Sequence, residues 1–339
     1  MLIDVRLSHV LAETAASASD AERDGYDAGW IGETSHDPFP PMALAAEHTE
    51  HLRIGISAVV AFARNPMSTA YLAHDLAGFS AGRFVLGLSA QVRAHVTQRF
   101  SMPYSQPVER MREYVAAMRE IWDCWRTGRK LDFRGDFYRH TLMTPLFEPA
   151  DTGTPPPAVY LAAVGPRMAE LAGETGDGLL AHLFTTPRYA REVTLPALHR
   201  GLARTGRQRR DVEVVVPLFV VTGATESGYA AVRDRIRRRI GFYAATPAYA
   251  PVMQLHGWLD LHWQLYDLSL SGDWDEMAEL IDDQVLDGFA VVGEPHTIAR
   301  QIWARYRDLA DRVVFSPEPG DGIAWDAILR DLRGLAAQP

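Results

Sequence analysis

Residues 159–168 read Val-Tyr-Leu-Ala-Ala-Val-Gly-Pro-Arg-Met, a short apolar run that passes through small residues into a helical pattern. The first half is typical of a strand buried on both faces, and the small-residue loop opens a helix. Units of this kind in series predict helices packed around a parallel sheet.

Similar runs recur along the chain and alternate with longer helical patterns. The candidate strands are Leu2–Leu7, Ala28–Gly32, Arg53–Val59, Phe84–Leu88, Val159–Ala163, Gly178–His182, Val212–Val221 and Arg312–Ser316. Eight parallel strands with helices between them predict a (β/α)8 TIM barrel of the α/β class. The competing doubly wound sheet would carry a G-x-G-x-x-G fingerprint after an early strand, and the sequence has none.

We expect one barrel domain over residues 1–339, with two segments outside the repeating unit. Residues 128–154 contain a hairpin-like pattern, and residues 245–287 are helical. Both are expected to be insertions over the carboxyl-end mouth of the barrel. The second either closes over a substrate or forms a plain helical cap whose rings pack inward. Its aromatic and histidine residues are His256, Trp258, His262, Trp263, Tyr266 and Trp274.

Composition excludes several classes of function. The formal net charge of −9 and the absence of a clustered basic stripe argue against a nucleic-acid partner. No apolar run approaches the roughly 18 to 20 residues of a membrane span, and no signal peptide is visible, so a cytoplasmic protein is expected. Lys130 is the only lysine and lies in a polar, turn-rich stretch, which disfavours Schiff-base chemistry.

Candidate site residues follow the predicted strands, since barrel enzymes place their chemistry at the carboxyl ends of the strands. Glu33, Thr34 and His36 follow the second strand. The loop and helix start after the fifth strand suit a phosphate, because free N–H groups and a positive dipole end lie there. That loop comprises Ala163, Val164, Gly165, Pro166 and Arg167. An ordinary tight turn is the alternative interpretation, and no metal site is predicted.

Six stretches together resemble the luciferase-like monooxygenase superfamily, and within it the coenzyme F420-dependent (deazaflavin) oxidoreductases. In chain order they are Gly25–Phe39, Ala61–Met67, Gly82–Leu88, Val159–Met168, Glu174–Gly178 and Val291–Pro295. The resemblance spans nearly the whole chain. It implies an enzyme that acts on a small molecule and holds a flavin or deazaflavin at the mouth of its barrel.

The resemblance also implies a role for particular positions. A bulge with a cis peptide bond not preceding proline is expected at Ser57-Ala58, beside Val59, against the back of the cofactor ring. Ser89, Ala90 and Gln91 would line the ring edge, and the loop from Ala163 to Arg167 would hold the cofactor phosphate.

The sequence departs from the family pattern after the second strand. Many relatives have an acid followed directly by histidine, whereas Thr34 follows Glu33 here and the nearest histidine is His36. His36 therefore stands in for proton transfer, or a relay runs through Glu33, Thr34 and water. The acid that some deazaflavin relatives carry after the fourth strand is Val92 in this chain.

The leading hypothesis is hydride transfer between reduced coenzyme F420 and a small organic substrate. The alternative is an FMN-dependent two-component monooxygenase that uses molecular oxygen and a separate reductase. A barrel that has lost catalysis and serves as a binding subunit is the third hypothesis. Relatives pair through helices beside the second and third strands, so the resemblance also implies a homodimer.

Overall fold

The computed structural model describes residues 1–317 and 323–337, and eight parallel strands close into a barrel within them. The strands are β1 (Leu2–Arg6), β2 (Ala28–Ile31), β3 (Arg53–Val60), β4 (Phe84–Ser89), β5 (Ala158–Ala163), β6 (Gly178–Ala181), β7 (Glu213–Pro217) and β8 (Arg312–Phe315). Each strand pairs with its neighbour in sequence, and β8 pairs with β1. The predicted TIM barrel is confirmed.

Helices surround the barrel and fill the connections between its strands. They are α1 (Leu11–Arg23), α2 (Phe39–Glu47), α3 (Pro66–Phe79), α4 (Pro107–Thr127), α5 (Pro166–Thr175), α6 (Leu195–Thr205), α7 (Glu226–Ala244), α8 (Ala250–Leu255), α9 (Leu259–Ser271), α10 (Trp274–Glu279), α11 (Asp283–Phe289), α12 (Pro295–Tyr306) and α13 (Trp325–Ala336). Within the described ranges, no helix is both long enough and apolar enough to cross a membrane.

The predicted strand Val212–Val221 is wrong in its length. Barrel strand β7 ends at Pro217, and Phe219–Val221 leaves the barrel to pair in parallel with Ala290–Val292. Proline has no N–H with which to continue the ladder, so barrel pairing ends within a residue of Pro217. The apolar pattern runs through both pieces because both are buried.

The two segments outside the repeating unit lie in different places. Within residues 128–154, Phe133–Arg134 and Arg139–His140 form a small antiparallel hairpin. The hairpin turn is held by Glu113 of α4, whose carboxylate accepts the N–H groups of Asp136 and Phe137 at 2.9 and 2.8 Å. Its contacts therefore place it against the outer helices, whereas helices α8 to α11 of the second segment adjoin the end of β6.

Helices α7 to α11 build a second hydrophobic core beside that of the barrel. Phe184, just after β6, stacks on Phe289 of α11 with ring centroids 4.3 Å apart. His256 stacks on Trp258 at 4.4 Å, and His262 is fully buried. Trp263 and Trp274 remain about half exposed. Most of the predicted rings thus pack as a helical cap.

A buried layer of polar and aromatic side chains fills the interior of the barrel. Arg312 donates two hydrogen bonds to the carboxylate of Asp4, both at 2.8 Å, and the indole N–H of Trp30 donates a third at 2.8 Å. All three side chains are almost completely buried. Charge, counter-charge and hydrogen bonds are matched within this group, as burial of an ion pair requires.

Two glycines make room for the largest rings of this layer. A Cβ atom on Gly55 would lie 2.4 Å from the ring of Trp30, and one on Gly178 would lie 2.5 Å from the ring of Tyr160. Interiors are close-packed, so neither position has space for a side chain. Trp30, Tyr160 and the Asp4–Arg312 pair belong to what we call the barrel floor.

Candidate functional site

The layer above the barrel floor is lined mostly by small residues. Side chains two positions apart on a strand face the same side of the sheet. The positions that follow the buried residues Asp4, Trp30, Tyr160, Leu180 and Val314 in this way are Arg6, Gly32, Ala162, His182 and Ser316. Three of the five are glycine, alanine or serine, so few large side chains occupy the space at the carboxyl ends of the strands. We call this space the barrel mouth.

Arg6 lies in the barrel mouth at the end of β1. A Cβ atom on Gly32 would stand 3.3 Å from its Nη2 atom and 3.0 Å from the carbonyl oxygen of Ser57. Glycine at position 32 therefore leaves space for the guanidinium. Desolvation by the surrounding protein lowers the pKa of Arg6, the interaction with Tyr243 raises it in part, and the positive charge of Arg239 lowers it further, although the side chain is exposed.

His182 lies in the barrel mouth directly after β6. Its Nδ1 atom accepts the backbone N–H of Phe184 at 3.0 Å, so the neutral ring carries its proton on Nε2, 3.2 Å from the hydroxyl oxygen of Tyr249. Burial, and then the charge of Arg6, lower the pKa of His182 to about 4. The ring is neutral at physiological pH. The ring of Tyr243 meets it edge-on at 4.9 Å.

The carboxylate of Glu33 is fully engaged by groups on and after β3. It accepts the backbone N–H of Val60 at 2.7 Å and two contacts from Arg64 at 2.8 and 2.9 Å. Arg64 also donates to Asp37 at 2.6 Å. The Glu33 side chain is 5% exposed. Glu33 thus ties the loop after β2 to the end of β3.

Thr34 and His36 lie on the exposed rim of the mouth. The carbonyl oxygen of Thr34 accepts a hydrogen bond from Arg99. The ring of His36 lies 5.2 Å from that of His9, which follows β1. The structure therefore places Glu33, Thr34 and His36 on one loop, but the Glu33 carboxylate faces Arg64 while His36 faces His9.

The end of β3 has the predicted irregular geometry. The Ser57-Ala58 peptide bond is cis, and the pairing of β3 with β4 shifts register between Ile56 and Val59. The predicted bulge and cis bond are confirmed, while a role in cofactor contact remains a prediction. Val59 is buried, and Ser57 and Ala58 are partly accessible.

The end of β4 forms a tight turn beside that bulge. The hydroxyl of Ser89 accepts the backbone N–H of Gln91 at 3.0 Å, and Gln91 adopts a left-handed backbone with φ of 54°. The hydroxyl of Tyr104 donates to the carbonyl oxygen of Gln91 at 3.2 Å. Ala90 is buried between them in sequence. The turn is rigidly held from both sides.

The predicted phosphate loop runs from Ala163 to the first turn of α5. Gly165 precedes the helix, and no side chain caps its first N–H groups. A Cβ atom on Gly165 would meet nothing within 4 Å. Pro166 opens the helix, Val164 is partly accessible, and exposed Arg167 pairs with Glu109. The first turn of α5 is thus open to an anion.

The sequence analysis does not identify four residues of the mouth, which are Arg6, His182, Tyr243 and Tyr249. Arg6 is the next-to-last residue of the candidate strand Leu2–Leu7 and His182 ends the candidate strand Gly178–His182, so position at a strand end is a usable signal. The two tyrosines come from or follow α7, far along the chain, and carry no local signal. Among the described residues, no group of three or more His, Cys, Asp or Glu side chains is arranged to hold a metal ion.

A family match accompanies this geometry. The sequence profile of the family described as luciferase-like monooxygenase matches residues 4–312. The chain belongs to that family and is an oxidoreductase.

Relatives and a solved structure extend the comparison. An uncharacterized protein of Mycobacterium tuberculosis H37Rv is 49% identical over 312 residues, 92% of each chain. The F420-dependent glucose-6-phosphate dehydrogenase of Intrasporangium calvum is 28% identical over 338 residues, 93% of each chain. The F420-dependent tetrahydromethanopterin reductase of Methanopyrus kandleri shares the fold, with a TM-score of 0.79 and 18% identity over 98% of this chain and 97% of that one.

Proposed function

We propose that the protein transfers hydride between reduced coenzyme F420 and a small organic substrate bound in the barrel mouth. The observation that carries this proposal is the small-residue lining of the barrel mouth, in a family with an F420-dependent dehydrogenase as a full-length relative. A reduced deazaflavin supplies hydride and not an oxygen adduct, and the protein supplies binding, orientation and exclusion of water.

The residues of the mouth fit such a cofactor. Small positions, among them Ala162 and Ser316, place few side-chain atoms at the carboxyl ends of the strands. The uncapped first turn of α5 would bind the cofactor phosphate through its N–H groups, with Gly165 giving close access. Ser57, Ala58 and the turn of Ser89 to Gln91 would hold the ring.

We assign different tasks to the three residues after β2. Glu33 would position the ends of β2 and β3, because Arg64 and the N–H of Val60 already occupy its carboxylate. Thr34 would help to shape the rim. His36 is the proposed proton donor or acceptor, since its exposed imidazole lies at the mouth and histidine titrates near neutrality. Replacing His36 with alanine should lower turnover. Unaltered turnover would show that His36 does not transfer the proton.

Titration of the purified protein with coenzyme F420 and with FMN, followed by fluorescence, tests the proposal. Tight F420 binding supports it, whereas tight FMN binding without F420 binding would assign the chain to the two-component monooxygenases. Gly165→Asp should weaken binding of the cofactor by placing a carboxylate at the phosphate site, while the isosteric Gly165→Asn should weaken it less. Equal cofactor affinities for the two variants would show that the cofactor phosphate does not bind at Gly165.

We also propose a homodimer formed through α3 and the adjoining residues 146–147. The hydroxyl of Tyr71 on α3 donates to the carbonyl oxygen of Phe147, so α3 adjoins this segment, and the side chains of Leu72, Leu146 and Phe147 are exposed. Leu146 is 85% exposed. Contiguous apolar surface of this kind marks an interface. Leu146→Asp should give a lone chain of 37.7 kDa by light scattering, whereas Leu270→Asp, on α9, should not.

A further inference from the structure

Arg6 differs from the other arginines around the barrel mouth in its lack of a partner. Arg64 pairs with Glu33 and Asp37, and Arg167 pairs with Glu109. The side chain of Arg6 makes no hydrogen bond or ion pair within residues 1–317 and 323–337. Its five N–H donors are therefore available to a ligand.

The surroundings of Arg6 make an unpaired charge costly. The exposed guanidinium lies at the carboxyl end of β1, where desolvation by the surrounding protein lowers its pKa, the interaction with Tyr243 opposes that shift in part, and the charge of Arg239 adds repulsion. A partly desolvated charge gains from a partner, because it has lost part of its hydration. The adjacent His182 is neutral and supplies no counter-charge. A bound anion would compensate for the lost hydration and oppose the repulsion by Arg239.

We propose that Arg6 binds the carboxylate or phosphate group of an anionic organic substrate. A guanidinium presents paired donors that match the two oxygens of such a group. The rings of His182, Tyr243 and Tyr249 lie together on the β6 side of the same space, with centroids 4.6 to 4.9 Å from His182. They offer an apolar wall, so the body of the substrate is expected to be apolar or aromatic.

The position of Arg6 separates this site from the phosphate site proposed for the cofactor. In the closed barrel, β1 and β5 lie four strands apart in either direction. Arg6 on β1 therefore faces the first turn of α5 across the mouth. One cofactor phosphate at Gly165 does not reach Arg6, and the acid group at Arg6 belongs to a second molecule. The assignment of the anion to a substrate rests on the proposed function, whereas the anion site itself does not.

Calorimetric titration of the full chain without cofactor tests the anion site. The probes are benzoate, inorganic phosphate and the neutral benzamide. We expect wild type to bind benzoate or phosphate but not benzamide. Arg6→Gln should weaken anion binding at least about tenfold, as loss of a charge-assisted hydrogen bond predicts. Arg6→Lys should bind with intermediate affinity, because it retains the charge and loses the paired donors.

Arg330→Gln is the matched control, because Arg330 pairs with Asp326 on the exposed face of α13. It should bind the probes as wild type does. No anion binding by wild type, or equal binding by Arg6→Gln, would overturn the proposal. Thermal unfolding of each variant shows that it is folded.

Cofactor titrations test whether the anion at Arg6 belongs to the substrate or to the cofactor. Arg6→Gln should bind coenzyme F420 and FMN within about twofold of wild type. A tenfold loss of cofactor affinity would place the anion on the cofactor and overturn the substrate assignment. If wild type binds benzoate through Arg6 but binds neither cofactor, the proposed function fails while the anion site stands.

Discussion

Two arginines inside the same barrel, Arg312 in the barrel floor and Arg6 in the barrel mouth, have opposite surroundings. Arg312 donates twice to Asp4 at 2.8 Å and is 2% exposed. Arg6 stands two residues after Asp4 on the same strand, where none of the described residues pairs with it. The charged groups of the floor pair with one another, whereas the guanidinium of Arg6 in the mouth is available to pair with a ligand. The buried arginine is therefore paired within the floor, whereas the exposed arginine of the mouth has no partner among the described residues.

Breaking the ion pair of the floor should have the largest effect on stability. Asp4→Ala leaves Arg312 buried and short of its main partner, so we expect a loss of about 3 to 5 kcal/mol in the free energy of unfolding. Arg6→Gln should lose almost nothing, because it removes a charge without a partner. Urea unfolding of both variants measures the difference. A loss for Arg6→Gln as large as that for Asp4→Ala would abolish the distinction between the two layers.

A glycine-to-alanine substitution should cost more stability in the floor than at the mouth. At Gly55 a Cβ atom would lie 2.4 Å from the buried ring of Trp30, so Gly55→Ala should cost up to about 3 kcal/mol through overpacking. At Gly165 the space is open and the backbone is extended, with φ of −78°. Gly165→Ala should be neutral within about 0.5 kcal/mol. Thermal and urea unfolding provide both values, and a destabilised Gly165→Ala would show that the loop is not open.

His182 should make the stability of the mouth sensitive to acid. Its pKa is about 4 in the folded protein, below the usual value near 6.5 in an unfolded chain. Between these values the unfolded state binds more protons, so stability is full above about pH 6.5 and falls as the pH drops toward 4. From pH 7 to pH 5 the loss from this group is about 2 kcal/mol.

His182→Gln provides the comparison for that pH dependence. The variant cannot titrate at this position, so its free energy of unfolding should fall by about 2 kcal/mol less than that of wild type between pH 7 and pH 5. Urea unfolding at both pH values gives the double difference. Parallel pH profiles for the two proteins would show that His182 titrates normally.

The contrast between floor and mouth also explains what the sequence can predict. Strands such as Phe84–Ser89 are apolar runs between turn signals, so their existence follows from local pattern. The break after Pro217 was missed because Phe219–Val221 is equally apolar and pairs outside the barrel. Burial alone does not distinguish the two sheets.

The candidate site shows the same limit. The loop at Gly165 and the bulge at Ser57 depend on short stretches of chain, and resemblance located both. The pairing of Glu33 with Arg64 joins residues 31 positions apart, and the contact of His182 with Tyr249 joins residues 67 apart. Such contacts decide which side chains are free for chemistry. They come from the closure of the barrel and not from any local pattern.

A crystal structure of the protein with coenzyme F420 tests the central claim most directly. We expect the ring in the barrel mouth above Trp30 and Tyr160, its phosphate at the first turn of α5, and Arg6 left free of the cofactor. Density for the cofactor outside the mouth, or a mouth filled by the protein's own side chains, would contradict it.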